Sequence, residues 1–101
     1  MSNRDKEPKI EIQLPEDIAV GNYANLVSVA HSSSEFVMDF ISLLPGMDRA
    51  KVNSRVILAP EHAKRLLFTL RDNIVRYEQE CGEIVLEEMQ LPPIGNVRGE
   101  A

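Results

Sequence analysis

Tryptophan is absent from this 101-residue chain, and its aromatic residues are two tyrosines and three phenylalanines. Burial must therefore come mainly from Leu, Ile, Val and Met. A folded chain of this size buries only roughly 60 to 70% of the surface that it exposes when unfolded, so a thin core is expected. There is one cysteine, Cys81, which excludes an intrachain disulfide framework and suits a reducing, cytoplasmic setting. No apolar run approaches the roughly 20 residues needed to cross a bilayer, and the leading stretch MSNRDKEPK is polar with no apolar targeting segment. No membrane association is expected. Basic residues number 11 against 16 acidic ones, a net charge of −5. Nucleic-acid affinity rests on Lys and Arg neutralising phosphates, so no nucleic-acid partner is expected either. The five glycines are scattered and build no phosphate-cradling loop, and the sequence implies no cofactor.

The residues that are present organise into strands followed by a helix. Residues 1–8 carry charge without apolar periodicity and read as a flexible lead-in. KIEIQLP then alternates, with Ile10, Ile12 and Leu14 on one side and Glu11 and Gln13 on the other, which predicts a half-buried strand ended by Pro15. EDIAVGN breaks the alternation and reads as a turn around Gly21 and Asn22. A second strand is expected from about Tyr23, a third in EFVMDFISLL, and a fourth in KVNSRVIL, where Val52, Val56 and Leu58 alternate with Lys51, Asn53 and Arg55.

From Pro60 to Cys81 the period changes to three and four. Ala63, Leu66, Leu67, Leu70, Ile74, Tyr77 and Cys81 fall on a stripe roughly 100° wide, the pattern of one long amphipathic helix. Pro60 suits its first position, Ala59 is a poor N-cap, and Gly82 can adopt the left-handed conformation that closes a helix. The fold class is therefore α+β: a four-stranded antiparallel, meander-like sheet packed on one long C-terminal helix. One domain is expected over residues 9–86, with a flexible tail over 87–101.

VSVAHSSSEFVMDF, residues 27–40, raises the question of chemistry, because it sets His31, three serines and Glu35 side by side. A serine nucleophile needs a base, an orienting acid and an oxyanion site in a cleft that excludes water. A cluster at a hairpin tip has no such cleft, so Ser33, His31 and Glu35 read as a turn and no catalytic residue is assigned. A three-residue loop, Ser32 to Ser34, would pair His31 with Glu35 and place Ala30, Ser28 and Leu26 opposite Phe36, Met38 and Phe40. A two-residue loop would set the Phe36 row opposite His31, Val29 and Val27, mixing apolar residues onto both faces, and is disfavoured on that ground.

No metal site is expected. His62 and Cys81 stand near opposite ends of a helix roughly 33 Å long at about 1.5 Å per residue, too far apart for one ion. The acidic pairs lack a spacing that would hold two carboxylates at a fixed separation.

What stands out is apolar surface beyond what one sheet and one helix can cover. Phe68 and Val75 lie about 120 to 140° from the centre of the helix stripe, and Val27, Val29, Val37 and Ile41 sit on the sheet face turned from the helix. These six are the candidate interface residues of a homo-oligomer, with a dimer as the first expectation. Another protein or a peptide is the alternative occupant.

YANLVSVAHSSSEFVMDF, the LLPG that follows, and KVNSRVILAPEHAKRLLFTLRDNIVRYEQECG together resemble a bacterial family known as domain of unknown function DUF3467. The resemblance covers roughly residues 9–82 and rests on the strand pair with its Ser-rich turn and on the ILAPEHAKRL strand-to-helix junction. It implies no reaction, cofactor or site residue. In layout alone the chain is similar to the SecB-type export chaperones, which suggests a second function, holding exposed chain segments in apolar grooves.

Overall fold

The computed structural model describes residues 9–46 and 49–87. In order they form α1 (Glu16–Ala19), β1 (Leu26–His31), β2 (Phe36–Ser42), β3 (Lys51–Leu58) and α2 (Pro60–Cys81). The chain divides after Ala63 into two compact units. The first holds α1, the sheet and the first turn of α2; the second holds the rest of that helix and the segment beyond it. The segments expected to be flexible, 1–8 and 87–101, lie outside the described residues apart from Glu87.

The class is α+β with an antiparallel sheet and a C-terminal helix, but the sheet has three strands, in the order β1-β2-β3. The expected first strand is not among them. Residues 9–15 carry no regular structure, and Ile10 and Ile12 are 91% and 93% exposed. Alternation marks a segment able to be a strand, but a strand needs a neighbour to take its N–H and C=O groups, and none is supplied among the described residues. EDIAVGN, expected as a turn, contains one turn of helix. Ile18 and Ala19 N–H donate to Pro15 O, and Gly21, at φ 73°, donates to Ile18 O and redirects the chain.

The β1–β2 hairpin follows the register that the sequence disfavours. His31 pairs with Phe36, Val29 with Met38 and Val27 with Phe40. Ser33 and Ser34 form the two-residue turn, closed by Ser32 N–H donating to Glu35 O at 2.9 Å. No residue other than glycine has positive φ among those described, so the turn dispenses with the left-handed residues that most two-residue hairpins use. Its substitute is the Ser32 hydroxyl, which accepts the Ser34 N–H at 3.2 Å.

β2 pairs with β3 from Phe36↔Leu58 through Phe40↔Ser54, then shifts so that Ile41 meets Val52. Asn53 is the extra residue of this bulge, and it reverses the facing of everything before it in β3. Val52 therefore shares a face with Ile41, not with Val56 and Leu58 as plain alternation predicts.

Directly paired residues share a face of an antiparallel sheet, which defines two faces. The phenylalanine face carries His31, Val29 and Val27, then Phe36, Met38 and Phe40, then Leu58, Val56 and Ser54. The aspartate face carries Ala30, Ser28 and Leu26, then Val37, Asp39 and Ile41, then Ile57, Arg55 and Val52. Both are mainly apolar. Among the described residues the buried apolar ones are Met38, at 9% exposure on the first face, and Ile41, at 5% on the second.

Asparagines tie the end of the sheet. The Asn25 amide donates to Leu43 O and accepts from Leu43 N–H, both at 2.8 Å, imitating one more rung of the β1–β2 ladder. Tyr23 O accepts from Ser42 Oγ at 3.0 Å and from Asn53 Nδ2 at 2.7 Å, and Asn22 Nδ2 donates to Ser54 Oγ at 3.1 Å. Residues 22–25 thereby cross from β1 over the end of β2 to β3.

The bounds of α2 match the periodicity. Ala59 O accepts from His62 and Ala63 N–H, Pro60 occupies the first helical position, and Gly82, at φ 96°, donates to Glu78 O. No residue of the helix is buried.

Replacing Asn25 by alanine removes both bonds to Leu43. It is expected to cost about 1 to 2 kcal/mol, read as a lower urea midpoint at unchanged slope.

Candidate interaction surfaces

The residues weighed as a catalytic trio are not assembled into one. His31, Ser33 and Glu35 are all exposed. The His31 ring stacks on Phe36, its cross-strand partner, at 5.3 Å between centroids and 25° between planes. Glu35, expected opposite His31, instead joins Ser32 in closing the turn. The geometry gives the serines a role in chain reversal and His31 an apolar contact on the phenylalanine face.

The six candidate interface residues divide three ways. Val27 and Val29 stand on the phenylalanine face and are about half exposed, at 47% and 56%. Val37 and Ile41 stand on the aspartate face, where Ile41 is buried within the chain itself. Phe68 and Val75 project from α2 and are partly exposed. The Arg71 guanidinium lies over the Phe68 ring, 4.9 Å from its centroid, so one face of the ring is covered by a cation on the same helix. The main helix stripe is open too, with Leu66, Leu67, Leu70, Ile74 and Tyr77 all exposed.

Near the end of α2, Asn73, Ile74, Arg76, Tyr77, Glu80 and Ile84 line a shallow groove of about 540 Å³. Its rim is held by Ile84 N–H donating to Glu78 Oε2 at 2.9 Å. Cys81 is a free, exposed thiol. Among the described residues no group of acidic, His and Cys side chains could hold a metal ion, and no helix is long and apolar enough to cross a membrane.

One polar feature within the sheet was not legible as a pair. Asp39, only 4% exposed, accepts from Arg55 Nε at 2.7 Å and from Arg55 Nη2 at 3.0 Å, a two-pronged ion pair across β2 and β3. Alternation alone assigns Asp39 and Arg55 to faces strand by strand. Matching the one acid of β2 to a base of β3 was the signal available. Hydrogen bonding from Arg55 holds the Asp39 carboxyl below its ordinary pKa, against the opposing effect of desolvation, and Asp39 in turn raises Arg55. The arginine side chain is about half exposed, at 49%, so water reaches the outer side of the pair while the carboxylate faces the sheet.

Residues 1–86 match the model of a family described as a protein of unknown function, DUF3467. No curated protein and no solved structure matches the chain.

Because the folded pKa of Asp39 is depressed, the stabilisation from the pair is complete above the ordinary carboxyl range and is lost as pH falls through the depressed value. In Arg55→Ala, desolvation acts on Asp39 unopposed and favours its protonated form. The deficit of that variant against the parent should be full at neutral pH and should shrink towards pH ~3, below the ordinary aspartate pKa. Thermal unfolding across that range checks it; a deficit independent of pH would show that the pair contributes no charge-dependent stability.

Proposed function

The chain belongs to the DUF3467 family, and from its surfaces we propose that it is a non-enzymatic protein-interaction module that works as a homo-oligomer, with a dimer as the basic unit. The observation that carries this reading is the mismatch between apolar content and burial. Among the described residues Met38 and Ile41 are the buried apolar ones, while Val27, Val29, Val56 and Ile57 on the sheet and Leu66 to Tyr77 on the helix stand exposed.

Fully burying one such Val, Leu, Ile or Phe side chain contributes roughly 1.5 to 3 kcal/mol. A sheet that is apolar on both sides needs a layer on each. In this proposal a second copy supplies a layer that one chain leaves open. Phe68, Val75, Val27 and Val29 then belong to the surface between copies, while Val37 stands on the opposite face and lies outside it. Cytoplasmic residence is part of the same reading, on the strength of a lone exposed cysteine.

The competing reading is a peptide-binding chaperone of the SecB kind, favoured by the open groove beside Tyr77 and Ile84. It differs in what it predicts for unfolded clients, which a chaperone keeps from aggregating at stoichiometric ratios and a structural oligomer does not.

Light scattering and sedimentation at micromolar concentration are expected to give a dimer or larger. Val75→Asp and Val29→Lys should each weaken association by about ten-fold or more, the effect of roughly 1.4 kcal/mol. A monomeric parent protein, unchanged by either substitution, would overturn the proposal.

A further inference from the structure

We infer that residues 9–14 of one copy are the fourth strand of another copy's sheet, added along the free edge of β1. The inference rests on the assembly proposed above and names the segment that builds it.

The first observation is the arm itself. Ile10, Ile12 and Leu14 alternate with Glu11 and Gln13 in the manner of a half-buried strand, yet all three apolar residues are exposed. A tail that is polar throughout stays solvated without cost. A segment with one apolar side and unpaired backbone gains from a sheet edge on both counts.

The second observation is the difference between the two edges on offer. Natural sheets protect edge strands with charges, prolines and bulges. β3 carries Lys51, Arg55 and the bulge at Asn53. β1, LVSVAH, has no Lys, Arg, Asp, Glu or Pro and pairs with β2 in unbroken register. The hydrogen-bond alternation that starts with Ser32 N–H to Glu35 O turns residues 28 and 30 towards β2. It leaves the N–H and C=O groups of Val27, Val29 and His31 directed outward.

The third observation is where the arm leaves. Asn22 bonds to Ser54 of β3, and Tyr23 O is held by Ser42 and Asn53. The chain before β1 is thus pinned at the β3 side and leads the arm away from its own β1 edge.

Length and parity agree with this placement. Six residues of arm meet the six of β1. When Ile10, Ile12 and Leu14 extend the row of Val27 and Val29, the phenylalanine face gains a fourth apolar strand. Glu11 and Gln13 then fall beside Ser28 on the face that holds Asp39 and Arg55.

Cross-linking tests the inference in the full chain with Cys81→Ser. Copies carrying Ile12→Cys are co-expressed with copies carrying either Val29→Cys or Lys51→Cys and treated with a short bis-maleimide. The expected result is a product joining the two chains, about ten-fold or more favoured for Val29→Cys, since residues held together react at millimolar effective concentration. Preference for Lys51→Cys, or a link within one chain that carries both Ile12→Cys and Val29→Cys, overturns the inference. An assembled protein that yields neither link overturns the arm while leaving the oligomer in place. A monomer by sedimentation removes the oligomer, and the exchanged strand with it.

Discussion

The two-residue turn at Ser33 and Ser34 determines which side chains share a face, and the rest of the sheet follows from it. Because a register step of one residue moves every side chain across the pleat, this turn brings Phe36, Met38 and Phe40 alongside His31, Val29 and Val27. The row behind them, Val37, Asp39 and Ile41, goes to the reverse side with Ala30, Ser28 and Leu26. The bulge at Asn53 then adds Val52 to that reverse side. A sheet of three strands therefore carries apolar residues on both faces and has little width with which to bury them. That imbalance is the basis of the proposed association between copies.

Asp39 gives this register a polar check. Its carboxylate is nearly inaccessible and takes two hydrogen bonds from Arg55, the residue directly across from it. A slip of one residue between β2 and β3 would separate the pair and leave a buried carboxylate without its cation, which is strongly disfavoured. The Asn25 amide does related work between β1 and β2 by matching both backbone groups of Leu43. Polar side chains thus specify alignment in a sheet whose apolar residues would tolerate several alignments.

How much of this was legible in the sequence depends on whether the signal is local. α2 and β3 were legible to the residue, because Pro60 and Gly82 bracket a sustained three-and-four period and KVNSRVIL alternates between clear breaks. The hairpin register was not. Three serines leave the turn length open, and the choice between lengths assumed a sheet with one apolar face and one polar face. The bulge was equally hidden, since an extra residue at Asn53 leaves alternation on the page intact while reversing it in space. Residues 9–14 show the limit most plainly: Ile10, Ile12 and Leu14 announce a strand, but periodicity says nothing about which edge, or whose, receives it. The contact between Asp39 and Arg55 depends on register in the same way: one acid in β2 and bases in β3 hinted at a pair, but which base meets the acid follows from how the strands align.

On the proposed reading the fold depends on association to bury its apolar surface. The most direct measurement is the thermal unfolding midpoint as a function of protein concentration, because association that stabilises the folded state makes the midpoint rise with concentration. The expected result is a midpoint that climbs steadily from nanomolar to high micromolar protein. A cooperative transition at the same temperature throughout that range would contradict it.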